Sequence, residues 1–127
     1  MFKILPIQNK NEQIEISAKC GSSYQDGFFA YSMKEEDGRL LGFSQFDIRG
    51  EEAYISDIKA ADGVDDYEAM FILGRSTMNF IDMCGAHKAY APYSCADESF
   101  MLALGFKRQD EGFFVDMTGF FGGCCSK

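Results

Sequence analysis

The sequence lacks tryptophan altogether and has only two prolines and a single histidine, His87. No stretch approaches the roughly 18 apolar residues of a membrane-spanning helix. The N-terminus becomes polar at Gln8, too early for the apolar core of a signal peptide. Basic residues are also scarce, because 12 lysines and arginines face 20 carboxylates, for a formal net charge of −8. Nucleic acids and anionic membranes attract basic proteins, so neither is predicted as a partner.

Paired cysteine motifs are missing as well. The five cysteines include no C-x-x-C pair and have no regular spacing: Cys20, Cys84, Cys95, Cys124 and Cys125. With one histidine, this pattern predicts neither a zinc site nor a disulfide framework. It is typical of a reducing compartment, which predicts a cytoplasmic protein. Cys124 is the fourth residue from the end, as in a prenylation box, but the middle residues are not aliphatic and the last residue is lysine, so prenylation is not predicted. The role of Cys124 and Cys125 stays open.

The composition that remains is that of a globular protein. Apolar residues make up 46% and charged residues 25% of the 127 positions. This length suits a single domain spanning residues 1–127, large enough to fold without metals or disulfides. The acidic balance is consistent with solubility and with attraction of a cationic substrate such as an amine.

The order of predicted elements indicates an α+β fold. Asp37-Gly38 is a strong hairpin signal, and a second short turn follows at Gly50-Glu51, so three consecutive strands form an antiparallel meander. We predict strands at Phe2–Leu5, Phe28–Lys34, Arg39–Arg49, Ala53–Ile58, Lys88–Pro92 and Phe113–Met117 and helices at Gln13–Cys20, Asp65–Cys84 and Glu98–Leu104. Phe120 and Phe121 in the glycine-rich tail are expected to pack.

The helix predicted at 65–84 has the clearest periodicity in the chain. Its apolar positions cover more than one stripe, which predicts packing on more than one side. Asp65, Asp66 and Glu68 place negative charge at its start, where the helix dipole favours it. Gly85 ends it.

This order of elements resembles the GNAT superfamily of acyl-CoA N-acyltransferases. Leu104-Gly105-Phe106 closes a short helix about twenty residues after Gly85 and looks like the family's L-Y-x-x-L-G-F segment. The resemblance covers 28–117, while the region before it is shorter than the family's usual two helices. It implies a mixed, mainly antiparallel sheet flanked by helices, acetyl-CoA as co-substrate, and a small-molecule or peptide amine as acceptor.

The resemblance also implies a coenzyme A site at the start of the long helix. In the family a Q/R-x-x-G-x-G/A loop lets backbone amides approach the pyrophosphate. Here the segment 65–70 reads Asp-Asp-Tyr-Glu-Ala-Met, so the glycines are missing and three carboxylates would repel the diphosphate. The implied binding residues are Ile58, Lys59, Ala60, Asp65, Tyr67, Glu68, Ala69, Met70 and Arg75. Arg75 either reaches a phosphate or pairs with an acidic residue one turn earlier.

The catalytic residues follow from the same resemblance. A carboxylate on the strand before the long helix often takes the amine proton, and Asp57 occupies that strand; the alternative is a salt-bridged strand carboxylate. Met101 stands where the family has a tyrosine acid, and Tyr93 on the preceding loop is the substitute. The splayed strands around Asp57 and Lys88 would hold the pantetheine arm.

Several alternatives remain open at this point. Cys95, near a helix start, is a weak candidate for a nucleophile, and His87 is expected to be a surface residue. The acidic segment 65–68 and Met101 also suit a non-catalytic binding or regulatory module with a GNAT shape. A third interpretation is a small homodimer formed through a strand edge or the aromatic tail.

Overall fold

A computed structural model describes residues 2–121. In this range, seven strands form one mixed sheet in the order β1-β2-β3-β4-β5-β7-β6, and three helices flank it. The strands are β1 (Phe2–Pro6), β2 (Phe29–Glu35), β3 (Leu40–Arg49), β4 (Glu52–Ala60), β5 (Lys88–Ala91), β6 (Lys107–Gln109) and β7 (Gly112–Asp116); the helices are α1 (Lys10–Lys19), α2 (Tyr67–Met83) and α3 (Glu98–Leu104). The predicted α+β class and the meander β2-β3-β4 are confirmed.

The only parallel pairing in the described sheet joins β4 to β5. It covers three residue pairs, from Glu52 opposite Lys88 to Tyr54 opposite Tyr90. Beyond Tyr54, β4 continues to Ala60 while β5 ends at Ala91, so the two strands part. The prediction that Lys88 flanks this opening is wrong, because Lys88 lies at the closed end of the pair.

Helix α2 covers one face of the sheet. Thr77 Oγ1 and Ser44 Oγ lie 2.7 Å apart in a hydrogen bond. Phe80 packs edge-on against Phe46 of β3, with ring centroids 5.9 Å apart. Gly42 supplies the space for Met70, because a Cβ at Gly42 would lie 2.7 Å from the Met70 sulfur. The broad apolar surface of α2 is thus explained by contact with both the sheet and α3.

Helix α1 covers part of the opposite face. Ile16 and Cys20 are buried with Phe43 of β3 in a small second core cluster. The helix begins three residues earlier than predicted, because the Asn9 side chain accepts a hydrogen bond from the Glu12 amide and caps it. It leaves β5 and β7 uncovered on this face.

Other boundaries differ from prediction for local reasons. Helix α2 begins at Tyr67 because Asp66 is its N-cap. The strand β6 was missed because it has only three residues, all exposed, and so no apolar alternation. Cys84 is exposed after the last turn of α2.

The tail packs as predicted up to the last described residue. A Cβ at Gly105 would lie 2.5 Å from the Phe120 ring, so that ring rests on the backbone at the end of α3. Phe121 packs against the main core. Cys124 and Cys125 lie outside the described residues. In the described part of the chain, no helix is long and apolar enough to cross a membrane.

Candidate functional site

The parting of β4 and β5 opens a cleft at the start of α2. The cleft has a volume of about 310 Å³ and lies between the end of β4, the start of α2 and the start of α3. Six of the nine predicted coenzyme A residues line it: Ile58, Lys59, Ala60, Asp65, Tyr67 and Met70. Glu68, Ala69 and Arg75 do not. We call this space the donor cleft.

The start of α2 offers backbone amides, but the side chain of its N-cap residue accepts a hydrogen bond from one of them. Asp66 Oδ1 accepts a hydrogen bond of 3.0 Å from the Ala69 amide. The amides of Tyr67 and Glu68 have no hydrogen-bond partner among residues 2–121. Asp65 and Asp66 both line the cleft. An anion would therefore meet two available amides and two carboxylates.

Aromatic rings form one wall of the donor cleft. Tyr67 lies edge-on to Phe100 of α3, with centroids 5.7 Å apart, and is stacked at 6.2 Å with Phe71. The Tyr67 ring is largely exposed. This wall suits the flat or apolar part of a ligand rather than its charge.

Asp57 lies on the other face of the sheet, in a buried polar network. The residue is only 8% exposed. It accepts hydrogen bonds from Ser22 Oγ at 2.6 Å, Ser56 Oγ at 2.8 Å and Gln45 Nε2 at 3.0 Å. The network reaches α1, because Gln13 donates to Gln45 Oε1 at 2.9 Å. The alternative of a salt-bridged carboxylate is wrong, since no cation pairs with Asp57 in the described structure.

The loop 92–96 crosses the opening between the strands. The Ile58 amide donates to the Cys95 carbonyl at 3.3 Å, and Lys59 Nζ donates to the Ser94 carbonyl at 2.6 Å. Cys95 itself is fully buried. Burial, with a smaller contribution from the Asp57 charge, raises the pKa of the Cys95 thiol to about 12. A nucleophilic cysteine must be an accessible thiolate, and the complete burial of Cys95 argues against that role.

Tyr93 lies on the same loop and is 38% exposed. Its ring packs edge-on against Phe113 at 5.1 Å, and the Arg108 guanidinium lies over it at 4.5 Å. Met101 is fully buried in the core, so its side chain belongs to the packing of α3. Tyr93, on the loop between β5 and α3, is exposed, whereas Met101 is not, so the proposed role of proton donor stays with Tyr93.

One predicted ion pair is absent. Arg75 pairs with no carboxylate in the described structure; its guanidinium lies between Phe71 and Phe120, at 5.3 and 5.5 Å from their centroids. The predicted ion pair is therefore replaced by packing between aromatic rings, and the phosphate contact of Arg75 stays a prediction. His87 is exposed, as expected, and contacts the Asp82 carboxylate.

A second cavity, which the sequence did not reveal, lies on the uncovered part of the sheet. Its volume is about 750 Å³, and Tyr54, Tyr90 and the β6–β7 turn with Asp110 and Glu111 line it. The two tyrosine rings stack at 5.5 Å. Desolvation and the neighbouring Glu52 carboxylate raise the pKa of Tyr90, whose hydroxyl donates to Glu52 at 3.3 Å. We call this space the tyrosine cavity. The sequence did not predict it, because its lining residues come from three segments that are far apart in the chain.

The described residues contain no group of three or more His, Cys, Asp or Glu side chains that could hold a metal ion. No family model matches the sequence, and no curated protein matches it. Solved structures do match. A Bacillus subtilis acetyltransferase in complex with CoA is 13% identical, with a TM-score of 0.73, over 91% of this chain and 99% of that chain.

Two further structures give the same result. A spermidine N-acetyltransferase SpeG chimera from Vibrio cholerae and hSSAT is 8% identical, with a TM-score of 0.75, over 95% of this chain and 99% of that one. A GNAT family acetyltransferase from Brucella melitensis in complex with acetyl-CoA is 13% identical, with a TM-score of 0.65, over 94% and 98%. The predicted GNAT-like fold is confirmed.

Proposed function

We propose that this chain, whose fold is that of the GNAT acetyltransferases, transfers an acetyl or related acyl group from acyl-CoA to an amine. One observation carries the proposal: the donor cleft and the tyrosine cavity lie on either side of the loop 92–96, where β4 and β5 part. Such an arrangement lets two substrates reach the same opening from different sides. The matched structures that hold CoA or acetyl-CoA support the choice of donor.

The donor cleft has groups suited to a coenzyme A thioester. The amides of Tyr67 and Glu68 can donate to phosphate oxygens at the α2 N-terminus. The aromatic wall at Tyr67 suits the apolar portion of the ligand. The backbone of Ile58 and Ala60 at the end of β4 would hold the pantetheine arm, once the Ile58 amide exchanges its hydrogen bond to the Cys95 carbonyl for one to the arm. The thioester supplies the activated acyl carbon.

In the proposed reaction, the amine nitrogen attacks the thioester carbonyl carbon, so a C–N bond forms and the C–S bond breaks. Asp57 takes the proton that the nitrogen loses. Ser22, half-exposed and hydrogen-bonded to Asp57 at 2.6 Å, connects this buried carboxylate to the surface. Tyr93 donates a proton to the departing thiolate and regains one from solvent. The products are an amide and free coenzyme A.

A non-catalytic binding module is the second candidate. It is favoured by the Asp65 and Asp66 carboxylates in the donor cleft and by the Ile58–Cys95 hydrogen bond across the opening. In this alternative, a partner or a ligand other than coenzyme A would occupy the cleft. Both candidates fit the cytoplasm, the compartment we propose because the described cysteines are unpaired.

Thermal unfolding with acetyl-CoA, and with free coenzyme A as control, tests the proposed function. A ligand at about 100 times its Kd stabilises a fold by about 2.7 kcal/mol, a shift of several degrees for this chain length. A shift with acetyl-CoA, followed by amine-dependent release of free thiol, is the expected result. No shift at millimolar ligand would contradict acyl transfer and favour the binding module.

A further inference from the structure

Asp57 is buried and lines neither the donor cleft nor the tyrosine cavity, so its carboxylate needs another group to reach a substrate. We propose that the Ser22 hydroxyl is a catalytic group, which receives the proton of the acceptor amine and passes its own proton to Asp57. This inference deepens the proposed function and rests on it. It adds a residue of the loop between α1 and β2 to a site otherwise formed by β4, the start of α2 and the loop 92–96.

The two carboxylate oxygens of Asp57 have different partners. Oδ2 accepts hydrogen bonds from Gln45 Nε2 at 3.0 Å and from Ser56 Oγ at 2.8 Å. These two bonds use both lone pairs of that oxygen. Oδ1 accepts one hydrogen bond, from Ser22 Oγ at 2.6 Å. The proton that Asp57 takes up in the reaction is therefore expected on Oδ1, through Ser22.

Ser22 has unused capacity to accept a hydrogen bond, whereas Ser56 does not. Ser56 Oγ lies 3.5 Å from Gln45 Nε2 and 3.2 Å from the Gln45 carbonyl oxygen, so protein groups surround it. Ser22 Oγ has a single hydrogen-bond partner among residues 2–121, the Asp57 carboxylate. A hydroxyl that donates its proton keeps two lone pairs. The Ser22 oxygen can thus accept a proton from a ligand while its own proton already points at the carboxylate.

The strand register places Ser22 beside the opening of the sheet. β4 pairs with β5 only up to Tyr54, so the edge of β4 at Asp57 has no neighbouring strand. The next residue, Ile58, lines the donor cleft. Successive side chains of a strand point to opposite faces, so Asp57 and Ser22 lie across the sheet from that cleft. Ser22 is half-exposed and therefore open to an acceptor that arrives on its own face.

The proton path is short and balanced. As the neutral amine attacks the thioester carbon, the nitrogen lone pair forms the C–N bond and the C–S electrons leave with sulfur. The N–H proton moves to Ser22 Oγ while the Ser22 proton moves to Asp57 Oδ1, so Ser22 ends as a neutral hydroxyl. Tyr93 protonates the departing thiolate. After the products leave, Asp57 returns its proton to solvent through Ser22, and Tyr93 regains one from solvent.

The loop that carries Ser22 is held by bonds that do not use its hydroxyl. The Ser22 amide donates to the Ser17 carbonyl at 2.9 Å. Gln45 Nε2 donates to the Ser23 carbonyl at 3.1 Å, and Gln45 Oε1 accepts from the Gln25 amide at 3.1 Å. Because all three bonds involve backbone groups of the loop, removal of the Ser22 hydroxyl leaves them in place. The hydroxyl can therefore be tested separately from the position of the loop.

The test compares Ser22→Ala and Ser22→Thr with the unmodified protein, using acetyl-CoA and a panel of alkyl and aryl primary amines. Release of free thiol gives kcat and KM. Ser23→Ala is the matched control, because Ser23 is on the same loop, its side chain is exposed and its hydroxyl makes no hydrogen bond in the described chain. Hydrogen exchange of the Gln25 amide, followed by NMR, reports whether each variant keeps the loop in position.

We expect Ser22→Ala to lower kcat about 100-fold, as for the loss of a group that transfers a proton. The KM for acetyl-CoA should change less than about twofold, because the hydroxyl acts only in the transition state. Gln25 protection should be unchanged, Ser22→Thr should recover most of kcat, and Ser23→Ala should behave like the unmodified protein. Full activity of Ser22→Ala overturns the proposal. Loss of kcat together with loss of Gln25 protection also overturns it, because the hydroxyl then only holds the loop.

The same assay separates this inference from the proposed function. If the unmodified protein releases no thiol with any amine, acyl transfer is contradicted and the role of Ser22 fails with it. If the unmodified protein and Ser22→Ala are equally active, acyl transfer stands and only the role of Ser22 is wrong. Asp57 would then have to meet the amine directly, after movement of the loop between α1 and β2.

Discussion

The donor cleft and the tyrosine cavity carry charge of the same sign, and the consequence is opposite in each. Asp65 and Asp66 line the donor cleft, where a diphosphate would be repelled, while Asp110 and Glu111 line the tyrosine cavity, where an ammonium would be attracted. The comparison shows that net charge by itself does not determine what a protein binds. What matters is which cavity each carboxylate lines and which chemical group it would meet there.

The two cavities also differ in how they are built. The donor cleft depends on a helix start and a strand end, both parts of the predicted element pattern. The tyrosine cavity is formed by β4, β5 and the short turn between β6 and β7, whose residues are exposed and gave no pattern in the sequence. The loop 92–96 separates them, and the predictions below test this loop, the residues beside it and the charge of each cavity.

The largest expected effect concerns the thiols. At pH 8, a thiol with a pKa of about 12 is ionised about 1,000 times less than one with the ordinary value of 9.0. In a Cys124→Ser/Cys125→Ser background, the exposed Cys84 should react with iodoacetamide while the buried Cys95 stays unmodified. Peptide mass spectrometry over time measures both. Equal labelling of Cys84 and Cys95 would mean that the loop 92–96 opens readily and that the two cavities are connected.

Asp57 tests whether the two cavities serve one reaction. Replacing it by Asn removes the proposed base, and kcat/KM for amine acylation should fall about 100-fold or more. Ser56→Ala is the matched control, because it removes one hydrogen bond to Asp57 and keeps the carboxylate. The control should lose about 1 kcal/mol of stability and retain activity. Equal loss of activity in both variants would make Asp57 a structural residue.

Glycine substitutions test the backbone contact that shapes the tyrosine cavity. Gly112 has a φ of 156°, and an added Cβ would collide with the Ala91 carbonyl oxygen. Gly112→Ala should cost about 3 kcal/mol of unfolding free energy from steric overlap and strain. Gly50→Asn is the control, because Gly50 has open space around it and a φ of 65° that Asn tolerates. Urea unfolding measures both, and equal midpoints would contradict the tight contact between β5 and β7.

The smallest effect concerns the donor cleft. Asp65→Asn/Asp66→Asn removes its two carboxylates while Asn keeps the helix cap. Acetyl-CoA should then bind about tenfold more tightly at low salt, with a smaller gain at high salt. The Glu36→Gln/Asp37→Asn variant controls for net charge. If both double variants gain equally, the repulsion is a property of the whole protein rather than of the cleft.

Much of the fold was predictable because its signals are local. Asp37-Gly38 marked the first hairpin, the apolar period marked α2, and Gly105 marked the end of α3, where its φ is 116°. Six of the nine residues predicted to bind coenzyme A line one cleft because they are close in sequence, at the end of β4 and around the start of α2. Arg75 was misjudged because its partner ring, Phe120, is 45 residues away, beyond the reach of helix spacing rules.

The sequence by itself determined the element order, the acidic balance, the absence of paired metal-binding motifs and the resemblance that led to the GNAT fold. The tertiary structure alone decided where β4 and β5 part, that Asp57 is buried in a network with Ser22 and Gln45, and that Tyr54 stacks on Tyr90. The physical reason is that turns, caps and periodicity act over a few residues. Strand register and cavity walls, in contrast, bring together residues far apart in the chain, and no local pattern records those pairings.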